Sequence, residues 1–482
     1  MPRRSLLFVS LCEFTQMKGS SFWTAPVVVT FGFLACGFSG MKAQDTSSAD
    51  SGVVSEVGAL EIVQTEKIPE VKTAIEMARP AGPTSVPTPK FTIRTRNNQF
   101  MMTVGGVINP IFGYDMGNNL YAEDGINFVT GGIPVPALTG HKGRVFINPL
   151  NSKVDFTVVG LGGTENQITG YVRLSMNGVN SSVRMNRAYI RYRGFTLGEN
   201  STLALDEAAG DIPQIDPQGP NGLVNTANYQ ISYRSRDYSG FRFAVGLEMP
   251  TFYAASGRYL GRDYMSYHGH MVESEVDQLV PDVPMWVEYD KGNNRVRFTG
   301  IIRNFAYQDM LKRHRYHEVG WGAMISGNFQ FCKPLLFYYQ AVYGKGIGNY
   351  IQDIAGRPIS FTPRSSQPGR VDATPMMGLM FGASYQATPR LSFNAVGSFA
   401  KVWGVKEYAT VNDATKDDAN GNSVMTAGSA NYHYGSYFAV NCFYKITSYL
   451  RFGVEYLYGR RTTYTLGSAH DNRLQTQLSL SF

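Results

Sequence analysis

The chain has 482 residues, with 29 Tyr, 29 Phe and 51 Gly but only 17% charged residues and a formal net charge of +7. This length suits two or three soluble domains or one large β-barrel, and so small a positive charge does not indicate a nucleic-acid partner. No stretch after residue 45 approaches the roughly 20 consecutive apolar residues that a membrane helix needs. A membrane location would therefore require strands, and only a closed barrel pairs every backbone polar group in lipid.

The first 44 residues resemble an export signal. An apolar stretch from Ser21 to Phe38 follows Lys18, and Met41-Lys-Ala43 is a plausible cleavage site. This pattern predicts a secretory signal region over residues 1–44, with Met17 as an alternative start. Its removal would take away four basic residues and one acidic residue, which lowers the net charge to about +4.

Residues 45–90 differ from the rest in being poor in aromatic residues and ending in a Pro-rich stretch, which predicts a stiff periplasmic extension. Val57, Leu60 and Val71 are among several apolar residues at helical spacings, which Pro69 interrupts. The segment is therefore either a short helix, able to form a small coiled coil between subunits, or a disordered spacer.

From residue 91 to residue 482 the chain repeatedly alternates apolar and polar residues with the period of two that strands have. Segments of about ten residues with this alternation, separated by turns, are typical of outer-membrane strands. The predicted fold is all-β, a transmembrane antiparallel β-barrel. Representative outward runs are Ile168, Gly170, Val172 and Leu174; Phe241, Phe243, Val245 and Leu247; and Val296, Phe298, Gly300 and Ile302.

The connections between these segments alternate between short and long, as periplasmic turns and external loops do in single-chain barrels. Counting strands between them gives about sixteen, with both ends of the barrel on the periplasmic side of the cell outer membrane. Short links are expected at 197–200, 236–239, 291–294, 388–389 and 447–448. Long loops are expected at 117–142, 206–225, 251–282, 346–374, 404–430 and 460–471.

Basic residues dominate the predicted inner face, where Asp155 and Glu248 are the chief acids. Rings of basic side chains in a water-filled pore favour anions over cations. The alternative is that these arginines form structural ion pairs with acids of an inserted loop. The predicted pore-lining arginines are Arg173, Arg187, Arg191, Arg193, Arg234, Arg295, Arg297 and Arg303, with Arg242 beside them.

The loop from Asp206 to Gly222 carries four acids among several turn-forming residues, so we expect a compact shape. Folded into the barrel, such a loop would narrow the pore opposite the arginines. The predicted constriction residues are Asp206, Glu207, Asp211, Asp216 and Asn221.

The motif Gly219-Pro-Asn-Gly222, followed by Tyr229-Gln-Ile231 and Tyr233, resembles the DcaP-like porins, in which a Gly-Pro-Asn-Gly loop leads into a strand. The preceding extension and the arginine-rich early strands are also similar to that family. The resemblance implies a sixteen-stranded trimeric channel for small, often dicarboxylic, anions, with an amino-terminal coiled coil in some members. This chain has Tyr229 where that family has Pro before Gln230, and Pro69 interrupts the coiled-coil pattern.

Other functions are less well supported by the sequence. GxSxG, HExxH and P-loop patterns are absent, so no catalytic residue, metal ion or cofactor is predicted, although an outer-membrane hydrolase and a surface adhesin stay alternatives. A transporter of hydrophobic ligands would need a plug larger and less polar than residues 45–90. The seven histidines are His141, His268, His270, His314, His317, His433 and His470, all assigned to loops or strand ends.

The last ten residues alternate from Leu474 to the terminal Phe482, which predicts the closing strand of the barrel, paired with the strand that follows Lys90. The sequence as a whole predicts a porin, a passive diffusion channel that prefers small anionic solutes. The expected partners are outer-membrane lipid, two further copies of the chain, and the barrel assembly machinery that would recognise Phe482.

Overall fold

The computed structural model describes most of the chain after residue 90, together with one short segment before it. The predicted signal region and most of the predicted periplasmic extension lie outside the described residues. These residues are 60–64, 91–95, 99–117, 127–135, 143–176, 183–250, 274–277, 280–292, 294–309, 314–355, 357, 359–363, 370–405, 416–417, 423–424 and 432–482.

Strands make up nearly all of the regular structure, because β-branched and aromatic residues alternate with small or polar ones over most of the described chain. In chain order they are β1 Leu60–Gln64, β2 Phe91–Thr95, β3 Phe100–Ile108, β4 Ile111–Asp115, β5 Arg144–Asn148, β6 Lys153–Gly160, β7 Ile168–Ser175, β8 Arg184–Tyr192, β9 Phe195–Ser201, β10 Ala227–Arg234, β11 Phe241–Pro250, β12 Ser274–Asp277, β13 Val283–Lys291, β14 Asn294–Asp309, β15 His314–Cys332, β16 Leu335–Lys345, β17 Phe361–Pro363, β18 Val371–Ala373, β19 Pro375–Gln386, β20 Leu391–Val402, β21 Lys416–Asp417, β22 Ser423–Val424, β23 Tyr432–Lys445, β24 Leu450–Thr463 and β25 Ser468–Ser481.

These strands close into an antiparallel barrel of sixteen, which confirms the predicted fold class. Three barrel strands are interrupted and consist of β3 with β4, β5 with β6, and β12 with β13. Each barrel strand pairs with its neighbours in the sequence, and β25 returns to pair with β3 and β4. Strands β17 with β18 and β21 with β22 form separate two-stranded ribbons.

The outer face of the barrel is apolar, as the alternation predicts. Phe298, Val287 and Ile231 are among the outward residues and expose 60%, 54% and 54% of their surface. A belt of apolar side chains is stable in contact with hydrocarbon. The closed barrel also pairs the backbone of every strand, so no sheet edge is exposed to lipid.

Helices are short and lie in connections. Among the described residues they are the helix α1, Glu207–Gly210, and two 3-10 turns, Thr130–Gly132 and Gly348–Tyr350. Among the described residues, no helix is long and apolar enough to cross a membrane.

The short connections gather at one end of the barrel, the turn rim, and the long loops at the other end, the loop rim. Two predicted connections are wrong in position. The link expected at 197–200 lies inside β9, because Arg193 and Gly194, with φ angles of 47° and 85°, make the two-residue hairpin turn instead. The long loop expected at 460–471 is reduced to residues 464–467, because β24 and β25 extend further than the pattern suggested.

The segment before the barrel contains a strand, so the predicted helix does not run through Leu60–Gln64. Strand β1 pairs with β2, and β2 pairs with β3 at Phe91–Arg94. The closing strand β25 pairs with β3 and β4 and not with β2, which directly follows Lys90.

Candidate channel lumen

Three long connections fold into the barrel from the loop rim. We call them the inner loops: loop A, residues 127–135; loop B, residues 202–226; and loop C, residues 346–363. Their apolar residues are buried against inward residues of the strands, and Ile133, Val224 and Ile351 have no exposed surface. The inner loops therefore fill part of the lumen, and the rest of the lumen is the candidate channel.

Loop B is anchored at its root by Glu248, an inward residue of β11. This carboxylate accepts hydrogen bonds from Thr202 Oγ1 at 2.7 Å, the Leu203 backbone N–H at 2.5 Å and Asn228 Nδ2 at 2.8 Å. A buried carboxylate with three donors is well compensated for the loss of water. Glu248 therefore fixes where loop B leaves the wall.

The tip of loop B is held by a second buried carboxylate, Glu455 of β24. It accepts the backbone N–H groups of Ile215 at 3.0 Å and Asp216 at 2.8 Å. Asp216 accepts from Tyr437 Oη at 3.0 Å and from the Phe128 N–H of loop A at 3.1 Å. Burial, with the nearby charge of Glu455, raises the pKa of Asp216 to about 7.

All three inner loops meet at Asp353 of loop C. Its carboxylate accepts from Thr130 Oγ1 at 2.8 Å, the Gly131 N–H at 2.7 Å and Tyr432 Oη at 2.7 Å. Its own backbone N–H donates to the Asn221 carbonyl of loop B at 3.0 Å. The inner loops therefore form one hydrogen-bonded unit, and loop B is not an isolated constriction.

The five predicted constriction residues fall into two groups. Asp206 caps α1 by accepting from the Ala208 N–H at 3.1 Å, and it is buried, as are Asp216 and Asn221. Glu207 is half-buried and Asp211 is exposed. Two of the five side chains therefore reach open space, and the other three hold the loop in shape.

The three predicted pore-lining arginines on β14, Arg295, Arg297 and Arg303, each form an ion pair with a carboxylate. The β13–β14 register places two of them directly opposite acids, and the third reaches an acid that immediately precedes β13. Loop B adds Asp206, whose Oδ1 lies 3.9 Å from Arg295 and 3.8 Å from Arg297. These arginines form ion pairs, mainly with acids next to them in the wall, which are buried for Arg297 and Arg303 and half-buried for Arg295. The pairs are Arg295–Asp290 at 2.6 Å, Arg297–Glu288 at 2.5 Å and Arg303–Asp282 at 2.8 Å.

Two other arginines also have acidic partners. Arg173 makes two bonds to Asp155, at 2.6 and 2.9 Å. Arg242 of β11 bonds Glu288 and Asp290, both at 2.8 Å. These cations add little net charge to the lumen.

Arg187, Arg191 and Arg234 differ from the arginines above. Arg187 donates to Ser201 Oγ at 2.5 Å, and the Arg191 guanidinium lies 4.8 Å from the centre of the Tyr189 ring. Arg234 interacts electrostatically with two acids, Glu207 of loop B and Glu288 of β13, and with two cations, Arg191 and Arg297. Within the described parts of the chain, these three arginines have no carboxylate at ion-pair distance. We call them the arginine track.

Arg193 does not continue this row, although the sequence analysis placed it there. It lies in the β8–β9 turn, exposed at the turn rim, and donates to Asn166 Oδ1 at 2.6 Å. The prediction continued the inward alternation of β8 to residue 193, one residue beyond the end of the strand. Gly194 is the one sequence marker of the type I′ turn that begins there.

Sequence reasoning also missed the residues that hold the inner loops. Glu455 alternates inward between Val454 and Tyr456, so the period of two was a usable signal for its direction. Asp353 lies in an irregular loop, and its partners come from residues 130, 131, 221 and 432. No local pattern in the sequence marks such a meeting point.

Four of the seven histidines are described, namely His314, His317, His433 and His470, and all lie on strands near the loop rim. His141, His268 and His270 are outside the described residues. In the described part of the chain, no cluster of His, Cys, Asp or Glu side chains has the make-up of a metal site.

Solved structures share this architecture. The outer membrane channel DcaP of Acinetobacter baumannii superposes with a TM-score of 0.60 at 16% identity, over 81% of this chain and 99% of that one. An anion-selective porin from Comamonas acidovorans superposes with a TM-score of 0.50 at 10% identity, over 80% and 100%. No protein-family model and no curated protein matches the sequence. The chain therefore has the fold of DcaP and of other outer-membrane porins.

Proposed function

We propose that this protein is a passive diffusion channel for small hydrophilic solutes, with a preference for anions. The observation that carries the proposal is the arginine track, in which three cations on the wall of the lumen lack a carboxylate partner among the described residues. Cations held at a low-dielectric wall raise the local concentration of anions and repel other cations.

The inner loops support this reading by leaving space on one side of the lumen. Loop B is attached to inward residues of β23 and β24, and two residues of the arginine track, Arg187 and Arg191, lie on β8, away from that contact. Solutes would pass between the loop and the arginine track, with Glu207 as the acid on the opposite side. The solved porin described as anion-selective has a similar fold, which accords with this preference.

The selectivity prediction is tested with the reversal potential across a planar bilayer in a potassium chloride gradient. The wild-type channel is expected to show the sign of an anion-preferring pore. Replacing Arg187 and Arg191 together by Ser removes two of the three unpaired cations, so the reversal potential should move clearly toward zero or change sign.

The matched control is Arg193→Ser, which removes the same charge from the end of the same strand but at the turn rim. Its reversal potential should stay close to that of the wild type. Cation preference in the wild type, or an unchanged potential in the double variant, would contradict the proposal. A protein that inserts into the bilayer without forming pores would favour the adhesion alternative.

A homotrimer is the assembly that we propose from the resemblance to DcaP-like porins. The test is chemical cross-linking of the protein in native outer membranes, followed by electrophoresis. A ladder that stops at three copies is expected, and a single band at the mass of one chain would contradict it.

We propose no enzymatic activity. The likeness to channel structures supports this choice. Incubating the purified barrel with phospholipid and peptide substrates is the check, and cleavage that disappears when Ser or His residues are replaced would contradict it.

A further inference from the structure

The lipid-facing surface carries an apolar groove that the channel function does not use. It crosses β16, β19 and β20 and has a volume of about 430 Å³, within the range of small-molecule sites. The groove exists because Ala341 and Gly397 lie among large side chains of the neighbouring strands. Its outward lining consists of Tyr339, Ala341, Leu379, Phe381, Gly397 and Phe399.

The register orders this surface in rows across the three strands. Tyr339, Phe381 and Gly397 are paired in one row, and Ala341, Leu379 and Phe399 in the next row toward the loop rim. The groove therefore spans two rows of outward residues, and the row of Ala341, Leu379 and Phe399 is the one nearer the loop rim.

Two lysines lie directly above the groove on the same outward face. Lys401 is two residues beyond Phe399, and Lys345 is four residues beyond Ala341, which places both at the loop rim. The Lys401 Nζ lies 5.0 Å from the centre of the Trp403 ring, and the rings of Trp403 and Tyr343 meet at 6.2 Å. Aromatic residues beside cations are the usual lining of a membrane interface.

These lysines are available to an external anion. Neither forms an ion pair with a carboxylate of the described residues, and Lys345 is exposed. They stand two strands and two residues apart along the sheet, which is roughly 10–12 Å between backbones. Side chains as long as lysine can both reach one phosphate group across that separation.

We propose that the groove binds one acyl chain of an anionic, phosphate-bearing lipid of the external leaflet, and that Lys345 and Lys401 bind its phosphate. The apolar groove and the two lysines at its mouth together indicate this class of lipid. The groove is lined almost entirely by apolar side chains and lies at membrane depth, and the only charges at its mouth are positive among the described residues. A second copy of the chain would bury two unpaired lysines in its interface, which is costly without acids opposite them.

Quenching of tryptophan fluorescence by brominated lipid chains tests this site in a bilayer. Trp403 and Trp321 face outward beside the lysines, whereas Trp286 is buried inside the barrel. The full chain is reconstituted in phosphatidylcholine with small fractions of brominated phosphatidylglycerol or of brominated phosphatidylcholine. We expect the anionic lipid to quench with an apparent affinity about tenfold higher.

Two sets of variants separate the ends of the site. Replacing both Lys345 and Lys401 by Gln should abolish the preference for the anionic lipid. The control Lys333→Gln, in the turn between β15 and β16 at the turn rim, should retain it. Gly397→Leu fills the groove without a clash, because an added Cβ there meets nothing within 4 Å, and it should lower quenching by both lipids. Gly300→Leu, on the outward face of β14, is its control and should leave quenching unchanged.

Equal quenching by the two brominated lipids in the wild type would overturn the proposal, as would a lysine double variant that keeps the preference. A preference for the anionic lipid that inorganic phosphate removes, while quenching by the lipid chains persists, would show an ion site only and would also overturn the proposal. A change in the number of cross-linked copies on Gly397→Leu would assign the groove to subunit contact instead.

Discussion

The lumen arginines show how the same side chain takes two roles that depend on the residue opposite. Arg303 is buried and has Asp282 at 2.8 Å and Tyr350 below it, whereas Arg187 donates to the Ser201 hydroxyl and has no carboxylate at ion-pair distance among the described residues. A buried ion pair is compensated only while both partners are present. We therefore propose a structural role for Arg303 and a role in selectivity for Arg187.

Arg303→Ser is predicted to destabilise the barrel more than it changes selectivity. It would leave the Asp282 carboxylate buried without a cation, and such losses cost about 3–5 kcal/mol. Thermal unfolding, followed as the loss of the compact band on an unheated gel, should occur at a clearly lower temperature. Arg187→Ser is the control and should unfold close to the wild type, so equal loss in both variants would contradict the assignment of roles.

The direction of most of these side chains could be predicted from the sequence, and their partners could not. The period of two placed Arg295 and Arg297 inward, since each strand alternates independently. Their neutralisation depends on the register between β13 and β14, which sets Glu288 opposite Arg297. The alternation of one strand contains no information about how far it is shifted against the next.

At the scale of elements, the three inner loops act together. Loop B was predicted from its acids and turn residues, but the sequence gives no sign that loops A and C enter the barrel with it. Loop C is held there by apolar residues such as Ile347, Ile351 and Ile354, which are fully buried and which look like ordinary loop residues when read singly. Burial of such scattered residues depends on tertiary contacts and has no period to detect.

The contact between loop B and the wall should depend on pH through Asp216. The folded pKa of this carboxyl is about 7, against an ordinary value of 3.8, so the folded protein holds its proton more tightly than the unfolded chain does. Its contribution to stability is therefore complete below about pH 4 and is lost as the pH rises through about 7.

Asp216→Asn is expected to remove this dependence, because an amide cannot ionise. The unfolding temperature of the wild type, measured from pH 4 to pH 8, should fall relative to that of the variant as the pH rises. Glu207→Gln is a control, since Glu207 is half-buried in the same loop without contacting Glu455. Parallel curves for the wild type and Asp216→Asn would contradict the prediction.

At the scale of the whole molecule, the barrel is completed by its last strand. Phe482 pairs its backbone with Gly106 in both directions, at 2.8 and 3.0 Å, and its ring covers Gly106, where an added Cβ would lie 2.7 Å from Cζ. The sequence predicted this strand because the alternation is long and uninterrupted from Leu474 onward, but it named as partner the strand that directly follows Lys90 instead of β3 and β4. It did not predict the interruption in the partner strand at Pro110.

Deleting Phe482 is predicted to lower the amount of assembled barrel in the outer membrane while leaving export intact. The deletion removes two backbone hydrogen bonds at the end of the closing strand and the ring that covers Gly106. Heat-modifiable protein in membrane fractions measures assembly, and periplasmic protein measures export. Replacing Ser481 by Ala is the control, and normal assembly of the deletion would show that the terminal Phe has no special role.

The seam where the first and last barrel strands meet has an interrupted ladder of backbone pairs. Strand β25 bonds to Val107 and Ile108, passes the break at Asn109 and Pro110, and resumes from Ile111 to Asp115. Side chains add contacts along this seam. Ser479 Oγ donates to Asn109 Oδ1 at 2.6 Å, and the Arg473 guanidinium donates two hydrogen bonds to the Asp115 carboxylate, at 2.5 and 3.2 Å. A barrel pulled mechanically from its carboxyl end should therefore separate along this seam, where the Arg473–Asp115 ion pair and the bond from the Met116 N–H to the Asn472 carbonyl at 2.8 Å are the last contacts to break.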